Sequence, residues 1–194
     1  MSGLRRIGVV GIGNVLMGDD GVGPYTVKLL ESRYEFPENV RLEDLGTPGL
    51  GITAAFSEYD AMILVDSVSA KKKPGEVLLY RRDQLVQVPL KTRVSPHDPA
   101  LVEALLFAEF SGKCPEEVLL VGVVPQACEL GCGMSDAAHM GMETAIRAVL
   151  VELERLGVEV KLKAKPAEPA IWWQRNAITD SSQEGLAHVP SHPR

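Results

Sequence analysis

Carboxylates follow three short predicted strands of this sequence, and a histidine opens a later predicted helix. Asp19 and Asp20 follow the first strand, Asp44 ends the second and Asp66 follows the third. His97 lies in the segment Ser95-Pro-His-Asp98 that opens the helix. In an open parallel sheet, ligands bind outside the carboxyl ends of the strands. We therefore expect these five residues to gather at one edge of a sheet.

Two kinds of chemistry suit such an edge. Imidazole nitrogen and carboxylate oxygen are ligands for nickel, zinc or iron, and three protein ligands leave coordination positions open for something else to supply. Alternatively, two close carboxylates split their pKa values and act as an acid–base pair for hydrolysis. Structural roles are equally open from spacing alone. Asp66 could cap a turn, and His97 could be a donor at the helix start. Asp44 could bind the backbone amides of the turn that begins at Gly46.

The glycine-rich stretch at residues 11–23 does not match the familiar phosphate-binding motifs. The dinucleotide fingerprint requires a third glycine where Leu16 stands, and the P-loop requires a lysine where Asp19 follows Gly18. Two adjacent carboxylates would also repel a phosphate. The stretch therefore indicates a loop built for a cation or for acid–base work, unless one aspartate merely caps the following helix.

Short apolar runs alternate with helical patterns along the chain. This alternation predicts an α/β fold, a three-layer α/β/α sandwich with a mainly parallel central sheet. The strongest strand is residues 61–65, whose continuous apolar character indicates burial on both faces. The predicted strands are residues 7–10, 40–44, 61–65, 76–80 and 118–124, with a last edge strand at 158–162. The predicted helices are residues 22–34, 50–59, 99–110 and 136–156.

The length and composition favour one domain followed by a tail. A chain of 194 residues is long enough for a single core, and we place that α/β domain at residues 1–164. Residues 165–194 are rich in Pro and Ser and are expected to be poorly packed. Ile171, Trp172 and Trp173 are the exception, because two adjacent tryptophans could dock on the domain or on a partner.

Charge and composition exclude several classes of protein. A formal net charge of −6 disfavours a nucleic-acid binder, and no apolar run is long enough to span a bilayer or to serve as a signal peptide. The cytoplasm is therefore the expected compartment. Three cysteines argue against a disulfide framework. Cys128 and Cys132 lack the ligand set of a structural zinc site, which favours free thiols. The G-x-S-x-G elbow of a common serine hydrolase does not occur in the sequence.

Four motifs, taken in order, resemble those of the nickel–iron hydrogenase maturation endopeptidases. They are Gly11-x-Gly-Asn-x-Leu-x-x-Asp-Asp-Gly-x-Gly23, Asp44-Leu-Gly-Thr47, Val65-Asp66 and Ser95-Pro-His97. The likeness runs from about Arg6 to Lys163. The resemblance implies an α/β sandwich and a hydrolase, an aspartic-type endopeptidase. Such an enzyme removes the C-terminal extension of a hydrogenase large-subunit precursor after nickel insertion.

The resemblance also implies roles for individual residues. Asp20, Asp66 and His97 match the positions that contact the metal, and Asp44 matches a carboxylate implicated in recognition or cleavage. Many relatives carry Glu where this chain has Asp20, so whether Asp19 or Asp20 contacts the metal stays open. Asp44 and Asp66 are the candidate catalytic residues that activate water.

The expected cofactor is nickel carried by the substrate, with none tightly bound to this protein. The expected partner is the nickel-loaded hydrogenase large-subunit precursor, and we expect no nucleic-acid or membrane partner. We also expect a monomer. The alternative function is a metallochaperone or assembly factor that binds the same precursor without cutting it.

Overall fold

The computed structural model describes residues 4–87, 98–171 and 173. Its central sheet has five strands. Along the chain the strands of the protein are β1 (Ile7–Gly11), β2 (Tyr34–Glu35), β3 (Val40–Asp44), β4 (Ala61–Ser67), β5 (Val77–Arg81), β6 (Glu117–Val123) and β7 (Lys161–Leu162). The central sheet has the order β3-β1-β4-β6-β5. Its neighbours pair in parallel except β5, which runs antiparallel to β6 at one edge. The predicted, mainly parallel sheet is confirmed.

Helices cover both faces of this sheet. They are α1 (Val22–Arg33), α2 (Ile52–Phe56), α3 (Arg82–Gln87), α4 (Asp98–Phe110) and α5 (Asp136–Arg155). One apolar layer lies between the sheet and helices α1 and α5, and a second lies between the sheet and helices α2, α3 and α4. No helix of the described ranges is both long enough and apolar enough to cross a membrane.

Successive residues of β4 alternate between the two layers. Ala61, Ile63 and Val65 belong to the α1/α5 layer, whereas Met62 and Leu64 belong to the opposite one. All five are buried, because a strand with helices on both faces has no exposed side. The three-layer α/β/α sandwich expected from the sequence is therefore confirmed.

Two predicted elements are shorter in the structure. In place of a helix at 50–59, a 3₁₀ turn at Gly49–Gly51 precedes α2, which ends at Phe56. Glycines at both ends of that turn are poor helix formers. The predicted edge strand at 158–162 narrows to β7, which pairs antiparallel with β2 in a separate two-stranded sheet. That strand does not extend the central sheet, because Val158 packs in the α1/α5 layer instead.

The chain beyond residue 162 stays attached to α1. The Lys163 amide donates to the Arg33 carbonyl at 2.9 Å, and the Ala167 amide donates to the Ser32 carbonyl at 3.2 Å. Trp173 is only 9% exposed, and its ring lies edge-on to Tyr25 with 5.1 Å between ring centroids. Of the two alternatives left open for the tryptophans, docking on the domain is what the structure shows for Trp173. Residues 174–194 of the expected tail lie outside the described residues.

Candidate functional site

The carboxyl ends of β3, β1 and β4 meet at one edge of the sheet. In the register of these strands, Gly11 of β1 is level with Asp44 on one side and with Val65 on the other. The Ile12 amide then donates to the Val65 carbonyl at 2.9 Å, and the Leu45 amide donates to the Gly11 carbonyl at 3.0 Å. Asp44 and Asp66 therefore flank the point where β1 leaves the sheet.

The loop after β1 turns back closely enough to bring a second pair of carboxylates to this edge. Gly13 has φ = +140°, and a Cβ atom there would lie 1.8 Å from the Asp20 carbonyl oxygen. Only glycine fits that position, because any side chain would collide with the backbone. The loop then forms a 3₁₀ turn, Gly18–Gly21, which carries Asp19 and Asp20 in buried positions directly before α1.

Ser67 joins the carboxylates of Asp20 and Asp66. Its hydroxyl donates to Asp20 Oδ1 at 2.7 Å, and its backbone amide donates to Asp66 Oδ1 at 2.8 Å. The Asn14 amide donates to Asp20 Oδ2 at 2.9 Å, which fixes the carboxylate from the other side. Asp20, Ser67 and Asp66 are all buried. Two oriented carboxylates joined through one serine favour a cation, because nearby water screens their charges little.

The Asp19 carboxylate does not face Ser67 as Asp20 does. Asp19 joins the loop after β1 to the loop at 126–135. Its carboxylate accepts hydrogen bonds from the amides of Gln126, Ala127 and Ser135, at 2.7, 3.3 and 2.7 Å. The Ser135 hydroxyl donates a fourth, at 2.8 Å. Burial raises the pKa of the Asp19 carboxyl, but these hydrogen bonds outweigh burial and keep the pKa below its ordinary value. A carboxylate has about four lone-pair sites, so the loop at 126–135 satisfies Asp19.

The sequence also placed Asp44 and His97 at this edge of the sheet. Asp44 is exposed at the end of β3, and its Oδ1 accepts the Gly46 amide at 2.9 Å, which is the turn contact expected of a structural role. The Gly13 amide donates to the Gly46 carbonyl at 2.8 Å, so that turn is tied to the loop after β1. His97 lies outside the described residues; the following helix, α4, packs against the 3₁₀ turn at Gly49–Gly51.

A thiol that sequence reasoning did not place at the site also faces the carboxylates. Burial, together with the charges of Asp20, Asp19 and Asp66, raises the pKa of the half-buried Cys128 to about 11. A pKa raised in this way keeps the thiol protonated at neutral pH in the metal-free protein, which disfavours Cys128 as a nucleophile. None of the three cysteines forms a disulfide, in line with the expectation from their number.

The sequence contained signals for the residues that it did not identify. Ser67 directly follows Asp66, and Asn14 lies inside the glycine-rich motif. Cys128 follows β6, another parallel strand that ends at the same edge. In the described ranges, no three His, Cys, Asp or Glu side chains are grouped so that they could hold a metal ion. Asp20 and Asp66 are thus not joined by a third such side chain within the described part of the chain.

Comparison with known proteins identifies the family. Residues 24–152 match the sequence model of one protein family, which is described as HycI, hydrogenase maturation protease. The chain is 33% identical to the hydrogenase 2 maturation protease of Escherichia coli K12, over 79% of this chain and 94% of that protein. It is 35% identical to the hydrogenase expression/formation protein HoxM of Azotobacter vinelandii, over 82% of this chain and 78% of that protein.

Solved structures agree with the sequence relatives. The hydrogenase maturating endopeptidase HybD from Escherichia coli superposes with a TM-score of 0.76 at 32% identity, covering 82% of this chain and 98% of that one. A hydrogenase 2 maturation peptidase from a Thaumarchaeota archaeon superposes with a TM-score of 0.59 at 32% identity, covering 80% of this chain and all of that one. With this fold and these relatives, the chain belongs to the hydrogenase maturation protease family and is an endopeptidase.

Proposed function

We propose that this endopeptidase removes the C-terminal extension of a nickel–iron hydrogenase large-subunit precursor, and that nickel bound in the precursor is the recognition element. The observation that carries the proposal is the pair of buried carboxylates, Asp20 and Asp66, joined through Ser67. A relative named hydrogenase 2 maturation protease, matched over most of both chains, supports the substrate class.

Asp20 suits the role of metal contact better than Asp19. Four hydrogen bonds from the loop at 126–135 satisfy Asp19, so moving it towards a metal would break that loop away. Asp20 accepts from the Ser67 hydroxyl and Asp66 from the Ser67 backbone amide, so both carboxylates are anchored to one residue at the end of β4. His97 would add an imidazole nitrogen, the ligand type that nickel readily accepts.

A site of this kind senses metal without holding it. Two carboxylates and one imidazole leave coordination positions for the ligands that the precursor already provides. Binding would then be strong only when the precursor brings its own nickel. Contact between that nickel and Asp20, Asp66 and His97 would orient the precursor, so that the scissile bond lies next to the edge of the sheet.

Asp44 suits the role of water activation. It is exposed to solvent, whereas Asp66 is buried and committed to the metal in this proposal. The Gly46 amide orients the Asp44 carboxylate. The carboxylate would accept a proton as water attacks the carbonyl carbon, and would return a proton to the amine that leaves. One residue of one chain thus serves as base and then as acid, so the proposed step needs no second copy of the protein.

The test is cleavage of a purified precursor prepared with and without nickel, followed by mass spectrometry. We expect the wild-type protein to shorten only the nickel-loaded precursor. We expect Asp20→Asn, Asp66→Asn and His97→Gln to fold normally and to lose cleavage, since each change removes a ligand. Asp136→Asn is the matched control, because Asp136 is an exposed aspartate at the start of α5.

Combining two changes separates one shared site from independent effects. If Asp66 and His97 act through the same metal, the double variant should lose little more than either single variant. Fully multiplicative losses, or cleavage near the wild-type rate by any single variant, would contradict the shared site. Tight binding of the loaded precursor with no mass change would favour the assembly-factor alternative.

A further inference from the structure

Two exposed leucines lie beside each other next to the carboxylates. Leu16, in the loop after β1, is 58% exposed, and Leu130, in the loop after β6, is 75% exposed. The Gly131 amide donates to the Leu16 carbonyl at 3.0 Å, so the two loops are in direct backbone contact. The two leucines are therefore carried by loops that touch, although they come from distant parts of the chain, and we call Leu16 and Leu130 the apolar rim.

The position of this rim is fixed relative to Asp20. The Leu16 amide donates to the Asn14 side-chain oxygen at 3.0 Å, and the Asn14 amide donates to the Asp20 carboxylate at 2.9 Å. The other loop is held by the four hydrogen bonds that Asp19 accepts. Backbone held at this many points presents both leucine side chains at a defined place beside the site.

The rim also lies next to Asp66. Strands β1 and β6 are the two neighbours of β4 in the sheet, and Asp66 lies near the end of β4. The loops after β1 and β6 meet beyond that end, where Asp66 is almost completely buried. Anything that covers the leucines therefore also reaches the edge where the carboxylates lie.

From this arrangement we infer that Leu16 and Leu130 dock the precursor itself, by taking an apolar side chain from the extended segment next to its scissile bond. This inference rests on the proposed function, and it adds a contact that does not depend on the metal.

A second copy of this chain suits the surface poorly. Two leucines are far too small for a stable dimer interface, which buries more than about 1,000 Å². A copy seated there would also cover the carboxylates. Single exposed leucines are common on protein surfaces, so the position of this pair beside the carboxylates is what assigns it to the precursor.

The experiment compares Leu16→Ser, Leu130→Ser and the double variant in cleavage of the nickel-loaded precursor. The double variant should raise KM by roughly tenfold, the loss expected when an apolar interface contact is removed. It should leave kcat and the melting temperature unchanged, because both side chains are exposed. Phe110→Ser is the matched control. Phe110 is 93% exposed at the end of α4, which a short connection joins to the start of β6 at the opposite edge of the sheet.

Each outcome decides the inference. An unchanged KM in the double variant overturns it, and so does a fall in kcat alone, which would mean that the leucines act on the site. A KM raised by Phe110→Ser instead would move docking to α4. Direct binding of the loaded precursor is measured in parallel. A wild type that binds without cutting refutes the proposed function, and weaker binding by the double variant would still support the rim. A wild type that neither binds nor cuts refutes both.

Discussion

Trp173 should be part of the folded core, although it lies beyond the domain boundary that the sequence suggested. The perturbation is Trp173→Ala. In the folded protein the Trp173 ring is 9% exposed and lies edge-on to Tyr25, with 5.1 Å between the ring centroids. The substitution would remove this ring and leave Tyr25 without its aromatic neighbour. Because Tyr25 also lies near Gly21, directly after Asp20, the effect should reach the turn that carries the site.

The size of the effect can be estimated from burial. Replacing a buried aromatic residue by alanine costs about 3–5 kcal/mol, of which an edge-to-face ring pair supplies about 0.5–1.5 kcal/mol. The lower end applies here, because the segment that carries Trp173 is not a strand of the central sheet and can detach locally from α1. A loss of about 3 kcal/mol in a chain of this size lowers the melting temperature by roughly 6–12 °C. Deletion of residues 165–194 should lower it by at least as much.

Thermal unfolding followed by circular dichroism measures this change. Phe110→Ala is the control, since Phe110 is 93% exposed and its removal should change stability by less than about 0.5 kcal/mol. A Trp173→Ala variant that melts within about 2 °C of the wild type would refute the reasoning. It would mean that the Trp173 ring contributes almost nothing to the stability of the core.

Three further expectations follow from the site. Asp19→Asn should cost about 1.5–3 kcal/mol at neutral pH, since hydrogen bonds to a charged group are lost. The folded-state pKa of Asp19 is lowered, so its contribution is lost as pH falls through that value; urea unfolding should show the two proteins converging in acid. The isolated protein should bind nickel weakly in titration calorimetry, and nanomolar affinity would contradict a site completed by the substrate. Cys128→Ser with Cys132→Ser should process the precursor normally, and unfolding or zinc release by this variant would disprove free thiols.

Much of the fold follows from local patterns. The strand at residues 40–44 has the predicted bounds, and the first helix begins at Val22 as expected, because apolar spacing and turn residues are properties of neighbouring positions. The bounds of the shortest elements of the structure, in contrast, were not predicted from these patterns. The pairing of β2 with β7 joins residues far apart in sequence, and two-residue strands carry almost no periodic signal. The separate small sheet could be found only from the folded chain.

The arrangement of the site also depends partly on the sequence alone and partly on the folded structure. The sequence by itself determined that carboxylates follow parallel strands, because chain order and strand direction place them at one edge. Only the tertiary structure decided which adjacent aspartate joins Asp66. Asp19 and Asp20 are equivalent by position, but one faces the loop at 126–135 and the other faces Ser67. The physical reason is that hydrogen-bond donors far away in sequence, and not the local pattern, fix the direction in which each buried carboxylate points.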